Sequence, residues 1–285
     1  MLRPFLSLVV AVAGTVVGLS LVSIGASLRT DVLVRAEPDA DAGPAVALTL
    51  VGVLVVGLAT LSLAIHWVGA IVVGGIHALL SLLALVVPFG NPFAGGIFSP
   101  VFQITRMLTK VDPAIGDGAT MFYFSGTALV VGAVLLGAAL GIRSRRLGAP
   151  AGRKAVVIAS GLGAVLLLAA GVLLVVGGGP FARMIFQSLR YDPGLASLGV
   201  VAGLLAGLGG LFLRWSSIGG FLAGGVILAA GIAGFLALGS VPLTFPGVFL
   251  VQYGFVMVAG VTILAAAFAG VVRRADEVPE HPDAL

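Results

Sequence analysis

Cysteine and charged residues are scarce in this sequence. Its 285 residues contain no cysteine, which excludes disulfides, thiol nucleophiles and metal sites built from thiolates. Only 9% of the residues are charged, whereas an ordinary soluble domain has about 25%. Because an ionised side chain at the centre of a bilayer costs about 2.5 kcal/mol or more, we expect the few charges to mark the loops of a membrane protein.

Long apolar runs take the place of the missing charges. Eight segments without Asp, Glu, Lys or Arg are each about 20 residues long, enough for a helix to cross about 30 Å of hydrocarbon. They are residues 5–27, 46–66, 68–88, 120–142, 155–178, 195–213, 217–239 and 248–272. The pattern predicts an all-α, polytopic integral membrane protein with about eight transmembrane helices. The first run exceeds the roughly 7–15 apolar residues of a signal peptide, so we prefer a span there over a cleaved leader.

The basic residues indicate an orientation in the cell membrane. With a cytoplasmic N-terminus, nine basic residues lie inside and six outside, and seven of the eleven acids lie outside. Residues 146–154 would then be a basic cytoplasmic linker, and residues 275–285 a short disordered cytoplasmic tail. The positive-inside rule predicts that both termini are cytoplasmic. The pI near 10.1 therefore indicates attraction to lipid headgroups and not a nucleic-acid partner.

Similar landmarks recur in two halves of the chain, residues 1–145 and 155–274. The recurring landmarks are Ser27-Leu28-Arg29-Thr30-Asp31 and Ser188-Leu189-Arg190-Tyr191-Asp192, His66-Trp67 and Arg214-Trp215, Tyr123 and Tyr253, and Arg145-Arg146 and Arg273-Arg274. Four spans in each half predict two tandem four-helix units of the same orientation, which is a parallel repeat. The alternative is that interfacial aromatic residues and arginines end the helices of any membrane protein.

Outer loops are expected at residues 28–45, 89–119 and 179–194. Two of them contain a twelve-residue segment that is followed by Asp-Pro, namely Pro100–Val111 and Pro180–Tyr191. Their mixture of apolar and basic residues is typical of helices that lie on a membrane surface. They provide a candidate surface for a partner protein or a lipid headgroup, formed by Arg106, Lys110, Arg183, Arg190 and Tyr191. Plain anchoring at the interface is the alternative.

Polar side chains are rare inside the predicted spans. His77 is the ionisable group that lies deepest within a span, and an intramembrane histidine is a functional candidate by default. A neutral histidine bonded to a neighbouring helix is the alternative, and the matching stretch Gly224–Ile227 has no histidine. The candidate intramembrane polar site consists of His77, Ser81, Ser125, Gln252 and Tyr253.

Motifs for reaction chemistry are missing from the sequence. It has no nucleophile–base–acid set, no Walker loop and no His-rich metal spacing. The acids Glu37, Asp39 and Asp41 lack the glycine and the terminal glutamate of a calcium-binding loop. We therefore expect no cofactor, no metal and no enzymatic activity.

Glycine is abundant, with 43 residues, and recurs at four-residue spacing in several spans, as in Gly199–Gly207. Such spacing flattens one face of a helix and lets two backbones approach closely. The glycine-rich faces are expected to pack within the chain, or to bind other membrane proteins or a second copy of this chain. The bilayer itself is the other partner.

Three functions are compatible with these patterns. The uncharged spans and the small-residue faces favour a non-catalytic subunit, a scaffold or accessory protein of a membrane or cell-envelope complex. A transporter or flippase for a lipid-like or apolar substrate is the first alternative, and it predicts a cavity lined by His77. An enzyme at the membrane interface is the second, and it requires Asp31, Asp112 or Asp192 to converge with nearby arginines.

Overall fold

The computed structural model describes residues 2–35, 42–86, 100–145, 152–188, 191–237 and 247–275. Every regular element in these ranges is a helix. In chain order they are α1 (Leu2–Arg35), α2 (Gly43–Thr60), α3 (Ser62–Ile65), α4 (Trp67–Val86), α5 (Pro100–Val111), α6 (Pro113–Phe124), α7 (Thr127–Arg145), α8 (Arg153–Leu173), the π-turn (Leu174–Gly178), α9 (Gly179–Ser188), α10 (Pro193–Phe212), α11 (Ile218–Leu236), α12 (Val248–Gln252) and α13 (Phe255–Ala275).

Within the described ranges, eight helical segments are long and apolar enough to cross a membrane. They are Leu2–Arg29, Gly43–Ile65, Trp67–Val86, Thr127–Ser144, Arg153–Ile185, Pro193–Phe212, Ile218–Leu236 and Phe255–Arg273. The prediction of an all-α, polytopic membrane protein is thereby confirmed. Most of the predicted linker and almost all of the predicted tail lie outside the described residues. The predicted loop 28–45 is partly wrong, because α1 continues as a helix to Arg35.

Two of the predicted spans are interrupted helices. The span predicted at 120–142 is broken between α6 and α7 at Gly126, and the span predicted at 248–272 is broken between α12 and α13 at Gly254. The φ angles of these glycines are 78° and 71°. Only glycine adopts this left-handed region routinely, and a right-handed helix cannot pass through it. The prediction of continuous helices is therefore wrong at both places.

The surface helix predicted at Pro180–Tyr191 is not a separate element. Helix α9 ends at Ser188 and follows α8 directly through the π-turn. Pro180 has no backbone N–H to donate to the preceding turn, and both proline and π-turns are recognised places where a helix departs from regular geometry. The segment therefore extends a membrane span, whereas α5 occupies Pro100–Val111 as predicted.

One face of the bundle, called the terminal face here, holds the start of α1 and the end of α13. Near the end of α13, Arg273 donates a hydrogen bond from Nη2 to the carbonyl oxygen of Ile65, at 2.9 Å. The guanidinium carbon of Arg143 in α7 lies 5.1 Å from the centre of the Trp67 ring at the start of α4. Cationic and aromatic side chains thus cluster where several helices end.

The same pairs of helices pack together in both halves of the chain. In the first half α1 packs on α2 and α4, and α4 packs on α7. In the second half α8 packs on α10 and α11, and α11 packs on α13. Between the halves α7 packs on α10, α13 packs on α2, and α7 packs on α13. If α1, α2, α4 and α7 correspond to α8, α10, α11 and α13, each of these pairs has its counterpart.

Close contacts between a glycine and a backbone carbonyl oxygen are found in both of these helix sets. They join Gly69 to the carbonyl oxygen of Ser7 and Gly74 to that of Gly132 in the first half, and Gly219 to that of Ser160 and Gly224 to that of Gly260 in the second. A Cβ atom at any of these glycines would lie no more than 3.0 Å from the partner oxygen. Small residues therefore allow the backbones to touch.

The predicted glycine-rich face Gly199–Gly207 is also used inside the chain. A Cβ atom added at its glycines would lie close to the side chains of Leu85, Leu129 and Ala133. Its small residues thus serve the packing of α10 against α4 and α7.

Candidate functional site

A cavity of about 280 Å³ lies between α1, α4 and α6, with α5 and α13 each contributing one residue to its wall. We call it the first cavity. Most of its wall is aliphatic or aromatic. Its polar side chains are His77, Tyr123, Thr15, Ser20 and Ser23, and none of the described side chains that line it is charged. Binding sites for small apolar molecules have this composition, with a few polar groups that fix the orientation of the ligand.

His77 and Tyr123 form a polar pair in the wall of the first cavity. His77 lies at the middle of α4 and is only 7% exposed. Its Nδ1 is 3.2 Å from the hydroxyl oxygen of Tyr123, and its ring meets Phe122 edge-on with 5.4 Å between the centres. Among the described residues, the second ring nitrogen Nε2 has no hydrogen-bond partner in the protein. It is therefore available to a bound molecule.

The break between α6 and α7 positions Tyr123. The hydroxyl of Ser81 in α4 donates to the carbonyl oxygen of Tyr123 at 2.8 Å, which ties α4 to the end of α6. Beyond the tyrosine, the Ser125 hydroxyl is 2.7 Å from the Thr127 hydroxyl and accepts the backbone N–H of Thr127 at 3.2 Å. Ser125 therefore stabilises the break and does not line the cavity.

Tyr253 is connected to the cavity through aromatic rings. Its ring stacks on Phe255 with 5.8 Å between the centres. Phe255 lines the cavity and lies 5.3 Å from Phe122, which contacts His77. Gln252 ends α12 and is not part of the cavity wall. Of the five predicted polar residues, the structure thus brings His77 and Ser81 together around Tyr123. The sequence had marked Tyr123 only as a landmark of the repeat.

Part of the predicted outer surface forms a second polar region, the polar cavity, of about 550 Å³. Arg106 and Lys110 of α5 line it together with Asp117 and Thr120 of α6. Partial burial raises the pKa of the Asp117 carboxyl above its ordinary value. Two cations and one carboxylate therefore share this region, and the helices α5 and α6 that carry them lie outside the eight spans.

The other predicted outer residues lie elsewhere. The guanidinium carbon of Arg183 is 5.8 Å from the centre of the Phe249 ring, and Tyr191 meets Phe181 edge-on at 5.8 Å. Arg190 lies outside the described residues. Arg106 and Lys110 share a cavity that neither Arg183 nor Tyr191 lines, so the described members do not form one continuous site.

The acids proposed for an interfacial enzyme have structural contacts. The Oδ1 atom of Asp112 accepts the N–H of Ile115 at 3.1 Å, and that of Asp192 accepts the N–H groups of Gly194 and Leu195 at 2.8 and 3.0 Å. Both acids are therefore N-caps, of α6 and α10. The side chain of Asp31 is outside the described part of the chain, which contains no cluster of three His, Asp or Glu able to hold a metal.

Arg29 is a buried cation that the sequence placed in an outer loop. It is 7% exposed, and its guanidinium carbon lies 4.0 Å from the centre of the Phe235 ring at the end of α11. Among the described side chains, none hydrogen-bonds its Nη1. The ring contact links α1 to the second half, and such cation–π contacts strengthen when water is excluded.

A further cavity of about 500 Å³ lies between α8, the π-turn, α11 and the break between α12 and α13. We call it the second cavity. Every described residue that lines it is apolar, including Leu168, Val172, Val226, Ile227 and Val251. It resembles the first cavity in position relative to its own four helices but has no polar group.

No family model matches this chain, and no curated protein or solved structure is significantly similar to it. The functional interpretation therefore depends on the two cavities and on the chemistry of the residues that line them.

Proposed function

We propose that this protein binds a lipid-like amphiphile in the first cavity and transports it within or across the membrane. The single observation that carries the proposal is a mostly apolar cavity with His77 and Tyr123 in its wall. Of the three functions compatible with the sequence, a lipid transporter is the one that requires such a cavity. An intramembrane histidine in the wall of a cavity fits this role.

The lining limits the chemistry of the ligand. Without a charged side chain in the wall, a buried charge on the ligand would have no partner and would be costly to desolvate. The imidazole and the hydroxyl groups of Tyr123, Ser20 and Ser23 instead match a neutral polar group such as a hydroxyl, an ester or a ketone. The apolar remainder of the wall matches a hydrocarbon tail, so the expected ligand is a neutral amphiphile.

Photolabelling tests the binding step. The protein would be placed in nanodiscs with a long-chain alcohol that carries a diazirine in its chain, and the labelled peptides would be mapped by mass spectrometry. Labelling of α1, α4 and α6 that excess unlabelled alcohol suppresses is expected, with a loss in His77→Leu. His66→Asn is the matched control. It changes a histidine outside the cavity and keeps an acceptor for the N–H of Val68, which now bonds to Nδ1 of His66 at 3.2 Å.

Labelling that is spread over all helices, or that His77→Leu leaves unchanged, contradicts binding in the first cavity. Transport is measured separately in proteoliposomes with fluorescent phosphatidylcholine and an impermeant quencher. Faster exposure of the fluorophore than in protein-free liposomes is expected. If binding is found without faster exposure, the protein is a lipid-binding protein and not a flippase.

The orientation in the cell membrane is part of the same proposal. The terminal face is basic, since Arg143 and Arg273 lie there beside Trp67 and the end of α3. We place this face, and with it both termini, in the cytoplasm by the positive-inside rule. A reporter fused after Leu285 should be inaccessible from outside intact cells, and labelling by an impermeant reagent would reverse the orientation.

A non-catalytic membrane subunit is the second candidate function. The observation that favours it is the surface of α5, where Ile104, Met107 and Val111 are exposed. Since the glycine contacts named above are made inside the chain, a protein partner is expected at α5. Purification at the natural level should then retain a stoichiometric protein, and substitution of Met107 by Asp should release it. A protein that purifies alone with a defined lipid supports the transporter.

A further inference from the structure

The glycine contacts set the register between the two halves. In both halves the third helix meets a serine carbonyl of the first helix, Ser7 in one and Ser160 in the other. The two broken helices are aligned with each other separately, by the glycine at each break. The N–H of Gly126 donates to the carbonyl of Tyr123 at 3.3 Å, and that of Gly254 to the carbonyl of Val251 at 3.0 Å. Tyr123 and Val251 therefore occupy the same position before the break.

Counting along the helices from these contacts pairs several of the residues that line the first cavity with residues that line the second. The pairs are Thr15 with Leu168, Leu19 with Val172, Ile76 with Val226, His77 with Ile227, and Tyr123 with Val251. All ten residues line their respective cavities. Two unrelated grooves on a helix bundle would not be expected to use the same positions five times.

We infer that the second cavity is the duplicated counterpart of the first and binds the hydrocarbon chain of a membrane lipid. Three of the five pairs have a polar residue in the first cavity, and these residues, Thr15, His77 and Tyr123, correspond to leucine, isoleucine and valine in the second. The second cavity thereby keeps the apolar part of the lining and, among the described residues, has no group that recognises a polar headgroup.

The lining identifies hydrocarbon as the occupant. Cavities with purely apolar walls hold no ordered water, and a polar group placed there would lose its hydrogen bonds. The volume of about 500 Å³ lies within the range of about 300–1,000 Å³ for ligand sites. Val175 and Val176 of the π-turn contribute to the wall, and π-turns inside α-helices are frequent at functional sites.

The test uses phosphatidylcholine with a diazirine at the end of one acyl chain, in nanodiscs that contain the full-length protein. Labelled peptides are expected from α8 and α11 at the depth of Val172 and Ile227. Filling the second cavity with Ala230→Phe should lower this labelling about tenfold, which corresponds to about 1.4 kcal/mol. Ala119→Phe is the matched variant, because Ala119 lines the first cavity, and it should leave the labelling of α8 and α11 unchanged.

Equal labelling of all lipid-facing helices, or labelling of α8 and α11 that persists in Ala230→Phe, would overturn the inference and leave an ordinary lipid-facing groove. Ala230→Val, a smaller change, should keep most of the labelling, and gel filtration checks that each variant is folded. The inference is tested independently of the proposed function, because labelling of the two cavities is detected on different peptides. Absence of alcohol binding in the first cavity would refute transport through it. The second cavity is tested separately, by acyl-chain labelling of α8 and α11.

The pairing of positions has a test of its own. The double change Ile227→His and Val251→Tyr places the polar pair of the first cavity into the second. Binding of the diazirine alcohol at α8 and α11 should rise above the level of the unchanged protein. If the folded double variant gains no alcohol labelling, the two cavities do not correspond position by position.

Discussion

The first and second cavities have similar surroundings and different linings. Each lies between the first and third spans of its half, next to a helix that breaks at a left-handed glycine. One wall contains a histidine and a tyrosine, and the other contains only apolar side chains. The comparison teaches that the frame of such a cavity and its ligand preference depend on different residues.

The frame of each cavity is the set of close contacts between its helices. In these contacts one partner is a glycine, which has no side chain. Gly74 meets the carbonyl oxygen of Gly132, and Gly224 meets that of Gly260. Side chains on the cavity side of the same helices are free to differ, as His77 and Ile227 do. Changes to the frame should therefore affect both halves alike, whereas changes to the lining should affect one cavity at a time.

The largest effect is expected where the backbones touch. Gly74→Ala and Gly224→Ala would each place a Cβ within 3.0 Å of a carbonyl oxygen and should each destabilise the protein by about 1–3 kcal/mol. Gly75 and Gly225 are the matched controls, because a Cβ there meets nothing within 4 Å. Thermal unfolding in detergent, followed by fluorescence-detected gel filtration, measures the difference. A loss in one half only would break the equivalence of the two frames.

The second effect concerns the glycines at the helix breaks. Alanine at Gly126 or Gly254 would carry a left-handed backbone strain of about 1–2 kcal/mol. At Gly254 the Cβ would also lie 2.9 Å from Cγ2 of Thr49, whereas at Gly126 the nearest atom is 3.5 Å away. Gly254→Ala should therefore lower the melting temperature more than Gly126→Ala. Asparagine tolerates this conformation better than alanine, so Gly126→Asn should be milder, and equal effects of all three would contradict the strain.

Loss of a helix N-cap should destabilise the protein less, by an amount that depends on how many backbone N–H groups the cap accepts. Asp192 accepts two backbone N–H groups and Asp112 accepts one. Replacing an N-cap by alanine costs about 0.5–2 kcal/mol, and we expect Asp192→Ala to be the more damaging of the two. Asparagine at either position keeps an acceptor and should restore most of the stability. Equal melting temperatures of the two alanine variants would contradict this order.

The spans were predictable because charge is excluded from the bilayer. The positions of Arg143 and Arg273 at helix ends follow from that cost. The breaks at Gly126 and Gly254 were not predictable, because they are two of 43 glycines and nothing local distinguishes a left-handed glycine from a packed one. The continuation of α1 as a helix to Arg35 was not predicted either.

The candidate site was predictable only in part. His77 stood out because an ionisable group inside a span is unusual, and the absence of a histidine at Gly224–Ile227 already indicated that the halves differ. The partner of His77 was missed, since Tyr123 is distant in sequence and reaches it only through the break at Gly126. Long-range contacts of this kind depend on how helices pack, which the apolar pattern leaves open.

The smallest effect is the sharpest test of the difference between the cavities. Tyr123→Phe removes the hydroxyl that lies 3.2 Å from Nδ1 of His77 and leaves the aromatic ring in place. Side-chain hydrogen bonds in membrane proteins average about 0.6 kcal/mol, so alcohol binding in the first cavity should weaken by a factor of about 3, by the usual relation of free energy to affinity. Tyr253→Phe is the matched control, because Tyr253 stacks on Phe255 and does not itself line the first cavity, and it should leave that binding unchanged. Chain labelling in the second cavity should be the same in both variants. An equal loss of alcohol binding in the two variants would show that general packing, and not the polar pair, selects the ligand.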